Sequence, residues 1–273
     1  MIRDFCSPPG PCRPSAADVR PPAVTSVGQA RDFDTVILAG GRAARMGGAD
    51  KPALAVGVAP MLVSVAEAAA AAGTSRLIVV GPPRPGSVQD ALEILAAGRS
   101  RWLTCVQEER AGSGPVAGLR RGLAEVTAPW LVLLAADLPF VTDAHLTVLL
   151  SASRATDGDD QHEALLGPSS TTKAADGSWG GALRTAGVVS TDVAGRPQWL
   201  ISCWRVGPLR AALAAYAGES LRNVLAPLQP TMIRLEALAG APPPWLDCDT
   251  PDDLATARRA WLALRGGSRR LIQ

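Results

Sequence analysis

Val36-Ile37-Leu38 is a short apolar run with β-branched members that stops at Gly40-Gly41. Such a run reads as a buried strand, and paired glycines directly behind it let the backbone leave the sheet sharply. The following loop carries Arg42, Arg45 and Lys51, with Gly47 and Gly48 between them. Backbone N–H groups of a glycine-rich loop can approach an anion closely, and guanidinium and ammonium groups suit phosphate oxygens. The stretch Val36 to Lys51 therefore requires a sheet whose strand ends open onto a phosphate-binding loop. Two common phosphate loops fail on spacing. A P-loop needs Gly-x-x-x-x-Gly-Lys-Ser/Thr, whereas Gly41 and Gly47 stand one residue too far apart and Gly48 follows. The dinucleotide fingerprint needs Gly-x-Gly-x-x-Gly, which Gly40-Gly41-Arg42-Ala43 does not supply. A plain strand-turn with scattered basic residues is the alternative, and the ordered conjunction of residues favours nucleotide binding.

Strands and helices alternate downstream. Met61, Leu62, Val65, Ala66 and Ala69 recur at helical spacing, and Gly73 stops that helix. Arg76 to Val80 is a second buried strand, ended by Gly81-Pro82-Pro83, so strand, helix and strand form a parallel βαβ unit. Residues 88–97 predict a short helix and Trp102 to Val106 a third strand. Val116, Leu119, Leu123 and Val126 predict a helix that begins behind Gly114-Pro115. Its N-terminus favours an anion, while Gly118 and Gly122 equally fit close packing on the sheet. Trp130 to Ala136 is the strongest strand. Val188-Val189 and Trp199 to Cys203 flank the turn-rich Thr191 to Pro197 and read as a β-hairpin. Leu209, Leu213 and Tyr216 mark a helix, Met232 to Leu235 a late strand, and Asp252 to Leu264 a last helix. The class is α/β, a mostly parallel central sheet with helices on both faces and a β-hairpin insertion.

At 273 residues, 47% of them hydrophobic, the chain can bury one large α/β core or two small ones. A formal net charge of +2 gives no pointer to nucleic acid, and no apolar run reaches the length of a membrane span. Five cysteines, an odd number without Cys-x-x-Cys spacing, argue against a disulfide framework and a zinc site. A reduced, cytoplasmic protein is expected. Residues 1–33 are proline-rich and lack the apolar segment of a signal peptide, so a disordered leader is expected. A true start at Val24 or Val27 stays open. Residues 154–182 are polar and glycine-rich and are expected to be a flexible insertion, either a lid or plain disorder. The acidic residues there, Asp159, Asp160 and Glu163 with His162, read as a solvated loop. Residues 265–273 are expected to fray as a basic tail after a single domain over 34–264.

Asp137 follows the wholly apolar strand Trp130 to Ala136 and stands before Leu138-Pro139-Phe140. Ligands of open parallel sheets gather at the carboxyl ends of the strands, and Mg²⁺ takes one or two carboxylates together with substrate phosphates. Thr142 is the better cap for the helix that begins at Asp143, which leaves Asp137 for chemistry. Near the end, Thr250, Pro251 and Asp253 have the spacing of a capping box. Asp247 and Asp249 precede that cap and, as alternate residues of an extended segment, face the same way. Either can supply a second metal carboxylate opposite Asp137.

Leu-x-Gly-Gly-x-x-x-Arg-Met-Gly followed by Asp50-Lys51 resembles the molybdenum cofactor guanylyltransferase family, within the nucleotide-sugar pyrophosphorylase-like superfamily. Gly114-Pro115-Val116-Ala117-Gly118, Asp137-Leu138-Pro139-Phe140, Ser220-Leu221-Arg222 and Asp247-Cys248-Asp249-Thr250-Pro251 match further elements of that family, so the resemblance spans residues 34–262. It implies a three-layer, Rossmann-like nucleotidyltransferase fold that passes GMP from GTP to the phosphate of molybdenum-bound molybdopterin and releases pyrophosphate. It implies Lys51, Arg45 and Asp137 as catalytic residues. Leu38, Ala39, Gly40, Gly41, Lys51, Glu109, Gly114 and Asp137 would line the nucleotide, with Glu108 and Glu109 both in range of the family's acidic position. Gln198 would face the acceptor, and Mg²⁺ would rest on Asp137 with Asp249 or Asp247. Molybdoenzymes or cofactor-delivery proteins are the implied partners, with no nucleic acid and no membrane. A phosphate nucleophile is already ionised, so no general base is required. Leu38-Ala39-Gly40-Gly41 favours guanine. The chain departs from the family pattern in Ala43, where serine is common, and in Gly48-Ala49, which lengthens the link to Asp50-Lys51 by one residue. Two alternatives remain: a related nucleotidyltransferase that uses CTP or another phosphate acceptor, and a non-catalytic nucleotide-binding or cofactor-delivery protein.

Overall fold

The computed structural model of the protein describes residues 32–41, 50–84, 86–110, 112–155 and 185–268. A seven-stranded sheet runs through it in the order β5-β4-β1-β6-β8-β7-β9. The strands are β1 (Phe33–Leu38), β4 (Arg76–Val80), β5 (Leu103–Val106), β6 (Trp130–Ala135), β7 (Gly187–Thr191), β8 (Pro197–Arg205) and β9 (Thr231–Arg234). β5, β4, β1 and β6 are mutually parallel, and β7 and β9 pair in parallel. Only β8 is reversed, antiparallel to β6 on one side and to β7 on the other. The expected hairpin is thus β7–β8, built into the sheet rather than added beside it. Its turn is closed by Asp192, whose carboxylate accepts from the backbone N–H of Arg196 and Ala194, at 2.9 Å each.

Alternate strand residues feed two cores, because successive side chains of a strand point to opposite faces. Ile37, Leu77, Val79, Val132 and Leu134 pack on one face against the helices α1 (Met61–Ala71), α2 (Ser87–Ala96) and α4 (Asp143–Ala155). Val36, Ile78, Val80, Leu131 and Leu133 pack on the other against α3 (Pro115–Leu123), α5 (Val206–Ala215) and α6 (Leu221–Leu225). These are the three layers expected, with the mostly parallel sheet in the middle. A third, smaller cluster joins Val56, Met61, Phe140, Cys248, Leu254 and Ala257. It ties the short hairpin of β2 (Ala55–Val56) and β3 (Ala59–Pro60) to the last helix, α7 (Pro251–Ser268).

Gly122 is where α3 comes closest to the sheet. A Cβ there would lie 2.7 Å from Val36 Cγ1 and 2.9 Å from Val80 Cγ2, and both valines are fully buried. Close packing therefore accounts for this glycine without any ligand. Asp34, wholly buried in β1, accepts the backbone N–H groups of Thr127 (2.7 Å) and Ala128 (3.0 Å) and so fixes the entry to β6. The loop after β6 is fixed by a histidine. His145 Nδ1 accepts the Thr142 N–H at 3.1 Å, which leaves the proton on Nε2, 3.0 Å from the Glu236 carbonyl oxygen. Burial lowers the His145 pKa below the usual 6.5, and its two neighbours suit the neutral ring.

Some boundaries move. Phe33, expected as the last residue of the leader, is buried and opens β1. Arg154 and Ala155 close α4 rather than open the insertion. α7 continues to Ser268, and Arg265, expected in a frayed tail, lies over the Trp261 ring, 4.9 Å from its centroid. Residues 1–31, 156–184 and 269–273, which hold the rest of the expected leader, insertion and tail, lie outside the described residues. Among the described residues no helix is long and apolar enough to cross a membrane.

Gly122→Ala should lower the unfolding free energy by about 1–3 kcal/mol, since a rigid core must absorb an extra methyl; a melting temperature equal to wild type would show that α3 has room. His145 gives a pH dependence of definite sign. A folded pKa below the unfolded one makes the unfolded chain bind the proton first, so the contribution is complete above pH 6.5 and is lost as pH falls through the lowered folded value. Melting between pH 7.5 and 5.5 should show this slope, and His145→Gln should remove it.

Candidate active site

The carboxyl ends of β1, β4 and β6 lie side by side. Leu38 pairs with Val80 on one flank and with Ala135 on the other, and the Ala136 N–H donates to the Leu38 carbonyl at 3.0 Å. The segments leaving these ends therefore converge. From β1 come Ala39, which is buried, and Gly40 and Gly41, which are exposed. From β6 comes Asp137, two residues past the strand and partly buried. The sheet delivers both without long-range guidance from the loops, because the apolar runs set the strand ends.

Lys51 returns to this point from the far end of the glycine loop. It opens a single 3-10 turn, Lys51–Ala53, with Pro52 in its second position. Its ammonium lies 2.5 Å from Asp137 Oδ2 and 2.5 Å from Asp249 Oδ1. The Lys51 side chain is 13% exposed, against 22% for Asp137 and 49% for Asp249, so the cluster faces outward on the Asp249 side. Burial alone would lower the Lys51 pKa. The charge and hydrogen bond of Asp137, then those of Asp249, outweigh it and raise the value above the ordinary 10.5, so the ammonium stays charged.

Asp249 owes its place to the third apolar cluster. Cys248, fully buried beside it, packs with Phe140 from the loop after Asp137 and with Val56 and Met61 from the segment after Lys51. One small core thus holds all three charged residues together. The capping box that follows is formed as its sequence predicts: the Asp253 N–H donates to Thr250 Oγ1 at 3.2 Å, and the Thr250 N–H donates to Asp253 Oδ2 at 2.8 Å. Of the two alternatives, Asp249 meets Lys51. Asp247 is exposed, yet the protein around it, then the charges of Asp249 and Asp137, push its carboxyl above its ordinary value. The Cys248 thiol is pushed up to about 12, first by burial and then by Asp137, so it is a protonated filler rather than a nucleophile.

The other expected residues are distributed around this cluster. Gly114 caps α3 at its N-terminus, as the sequence predicts. The carboxylate that faces the glycine loop belongs to Glu108, not Glu109. Glu108 Oε1 sits 2.8 Å from where a Gly40 Cβ would be and 3.3 Å from where a Gly118 Cβ would be, while Glu109 is exposed. A side chain at position 40 would thus displace that carboxylate. Gln198 stands at the start of β8, whose reversed direction brings it to the same sheet end as Asp137, and its amide donates to the Arg196 carbonyl at 3.4 Å. Arg42 and Arg45 lie outside the described residues.

One residue was missed by sequence reasoning. Arg84, buried in the turn after β4, donates through Nε to both oxygens of Asp50, at 2.9 and 2.8 Å, and through its terminal nitrogen to the Ala39 carbonyl at 2.6 Å. A lone cation in Gly81-Pro82-Pro83-Arg84-Pro85 was the available signal.

The cluster suits a divalent cation. Two carboxylates already share one positive group, and one or two carboxylates with substrate phosphates are the ligand set that Mg²⁺ favours. Among the described residues, no group of three or more His, Cys, Asp or Glu side chains forms a closed metal cage, so remaining ligands would come from substrate and water. Lys51 supplies a cation, and the two aspartates are carboxylates that could hold a metal. This is equipment for neutralising phosphate charge.

The chain is similar to several known nucleotidyltransferases. A probable molybdenum cofactor guanylyltransferase of Nostoc sp. (strain PCC 7120 / SAG 25.82 / UTEX 2576) is 36% identical over 108 residues, which is 40% of this chain and 47% of the relative. A molybdenum cofactor guanylyltransferase of Pseudomonas aeruginosa (strain LESB58) is 35% identical over 121 residues, 44% of this chain and 56% of the relative. The chain thus spans about half the length of the curated relatives it matches. Among solved structures, a nucleotidyl transferase from Methanothermobacter thermautotroptrophicus shares the fold, with a TM-score of 0.57 over 85% of this chain and 98% of that one at 17% identity. The family model described as MobA-like NTP transferase domain matches residues 35–232, from the second residue after Phe33 to the middle of β9. With most of its length under that model, and with the glycine loop and Asp137 inside it, the chain belongs to the MobA-like NTP transferase domain family.

Proposed function

We propose that the protein transfers GMP from GTP to the terminal phosphate of molybdenum-bound molybdopterin, with release of pyrophosphate. One observation carries the reading: Lys51, Asp137 and Asp249 meet in a single charge cluster beside Gly40-Gly41, at the carboxyl ends of parallel strands. The family match and the names of the curated relatives support guanine and the molybdopterin acceptor.

In this reading an oxygen of the acceptor phosphate attacks the α-phosphorus of GTP. The bond from that phosphorus to the α,β-bridging oxygen breaks, and pyrophosphate departs with the electron pair. The attacking phosphate is already ionised, so no residue has to remove a proton from it. The work of the protein is to gather negative groups that repel one another and to hold them in line. Lys51, with Arg45 and the N–H groups of Gly40 and Gly41, holds the leaving phosphates. Asp137 and Asp249, with Asp247, would hold Mg²⁺, which would supply neutralisation of phosphate charge there. Glu108 lies against the glycine loop on the nucleotide side, and Gln198 faces the acceptor from the start of β8. Leu38, Ala39 and the N-terminus of α3 at Gly114 complete the nucleotide side. The setting is cytoplasmic, a reading supported by unpaired Cys105 and Cys248. The product passes to a molybdoenzyme or a cofactor-delivery protein.

Asp137→Asn should lower pyrophosphate release from GTP and molybdopterin by about 100-fold or more, with the melting temperature within a few degrees of wild type. Unchanged release would remove the mechanism. Base preference has its own measurement. At a concentration 100 times its dissociation constant, a nucleotide adds about 2.7 kcal/mol to stability. GTP with Mg²⁺ should therefore raise the melting temperature by several degrees at a concentration where CTP with Mg²⁺ does little. The reverse order would make this a cytidylyltransferase.

A further inference from the structure

The glycine loop leaves the sheet at Ala39 and comes back at Asp50, immediately before Lys51, and a single buried guanidinium touches both ends. Arg84 Nε donates to Asp50 Oδ2 at 2.8 Å and Oδ1 at 2.9 Å, and one terminal nitrogen donates to the Ala39 carbonyl at 2.6 Å. The other terminal nitrogen donates to the Pro82 carbonyl at 3.1 Å, within its own turn. Arg84 is only 9% exposed, and two prolines before it restrict the turn that presents it. The Ala39 end is itself anchored, since the Ala39 N–H donates to the Val80 carbonyl at 2.7 Å. The Asp50 end leads straight into the 3-10 turn, where the Ala53 N–H donates to the Asp50 carbonyl at 2.9 Å.

We propose that Arg84 is a positioning residue for the nucleotide: it clamps the two ends of the glycine loop and thereby sets where the Lys51 ammonium stands. The inference rests on the proposed nucleotidyl transfer for its substrate, but its geometry is independent of it. A planar guanidinium suits the task, because its donors form a rigid fork that can engage a carboxylate and a carbonyl at once; an ammonium has no such fork. Arg84 touches neither Lys51 nor the aspartates of the cluster, and acts through Asp50.

Calorimetry of Arg84→Met with GTP·Mg²⁺ and with GMP tests this. The loop and Lys51 hold the leaving phosphates, which GMP lacks. GTP·Mg²⁺ should bind about 10- to 100-fold more weakly, the loss expected for a charged hydrogen bond set out of place, while GMP affinity stays within about threefold. Added guanidinium ion should restore part of the GTP affinity, and Arg84→Lys should restore less than guanidinium does. Asp50→Asn approaches the clamp from the other side and should show the same selective loss if Arg84→Met folds poorly. Unchanged GTP affinity in both variants, or equal weakening of GTP and GMP, would overturn the proposal. Amide exchange separates it from the functional reading. If wild type binds neither nucleotide, that reading falls, while faster exchange at Ala53 and Leu54 in Arg84→Met, with β6 unchanged, still establishes the clamp. Unchanged exchange at those two amides would refute it.

Discussion

The ammonium of Lys51, shared by Asp137 and Asp249, is the contact on which the site depends. Each carboxylate alone would repel the other, and both would repel a triphosphate. A cation between them makes their proximity stable and leaves the trio with one net negative charge, which suits a metal cation. Burial works against that ammonium, and the two aspartates more than offset it. The arrangement holds because three chain segments, far apart in sequence, are pinned by one small apolar cluster. Phe140, Cys248 and Met61 each lie within a dozen residues of the charge they support, and all pack together with α7. Hydrophobic contacts of this kind are not directional, so they bring the segments together, while the ion pairs choose the register.

The sheet supplies the rest of the precision. Four parallel neighbours, β5, β4, β1 and β6, put their carboxyl ends at one edge, and the loops that carry the chemistry have no freedom in where they begin. Buried polar groups are spent on fixing loop ends: Asp34 at the entry to β6, His145 behind Asp137, Arg84 at both ends of the glycine loop. Each makes several hydrogen bonds to backbone atoms, and it is through such contacts that a buried polar side chain becomes stabilising rather than costly. Lys51, Asp137 and Asp249 are left partly exposed.

Much of this was legible in the chain. The apolar runs at Val36, Leu77 and Leu131 became adjacent parallel strands, and the Thr250–Asp253 capping box formed as its spacing predicts. Gly122 resolved in favour of packing, since Val36 and Val80 leave no room for a side chain. Of the two glutamates, Glu108 is the one that faces Gly40, while Glu109 is exposed. Asp249 rather than Asp247 reached Lys51, a choice that their spacing along the chain does not make. Arg84 gave almost no signal, because a solitary arginine in a proline-rich turn reads as surface charge until the carbonyl it meets, 45 residues earlier, is brought beside it.

The sequence by itself determined the strands of the main sheet, the longer helices, their order, and the kind of loop that leaves β1, but not the short β2–β3 hairpin. These are local properties: hydrophobic period, β-branching and glycine placement act over a few residues and need no knowledge of the rest. Only the tertiary structure decided which aspartate shares Lys51, which glutamate faces Gly40, and that a buried arginine closes the glycine loop. Those choices depend on where distant segments meet, and charge, unlike hydrophobic periodicity, leaves no mark in a sequence of the partner it will find.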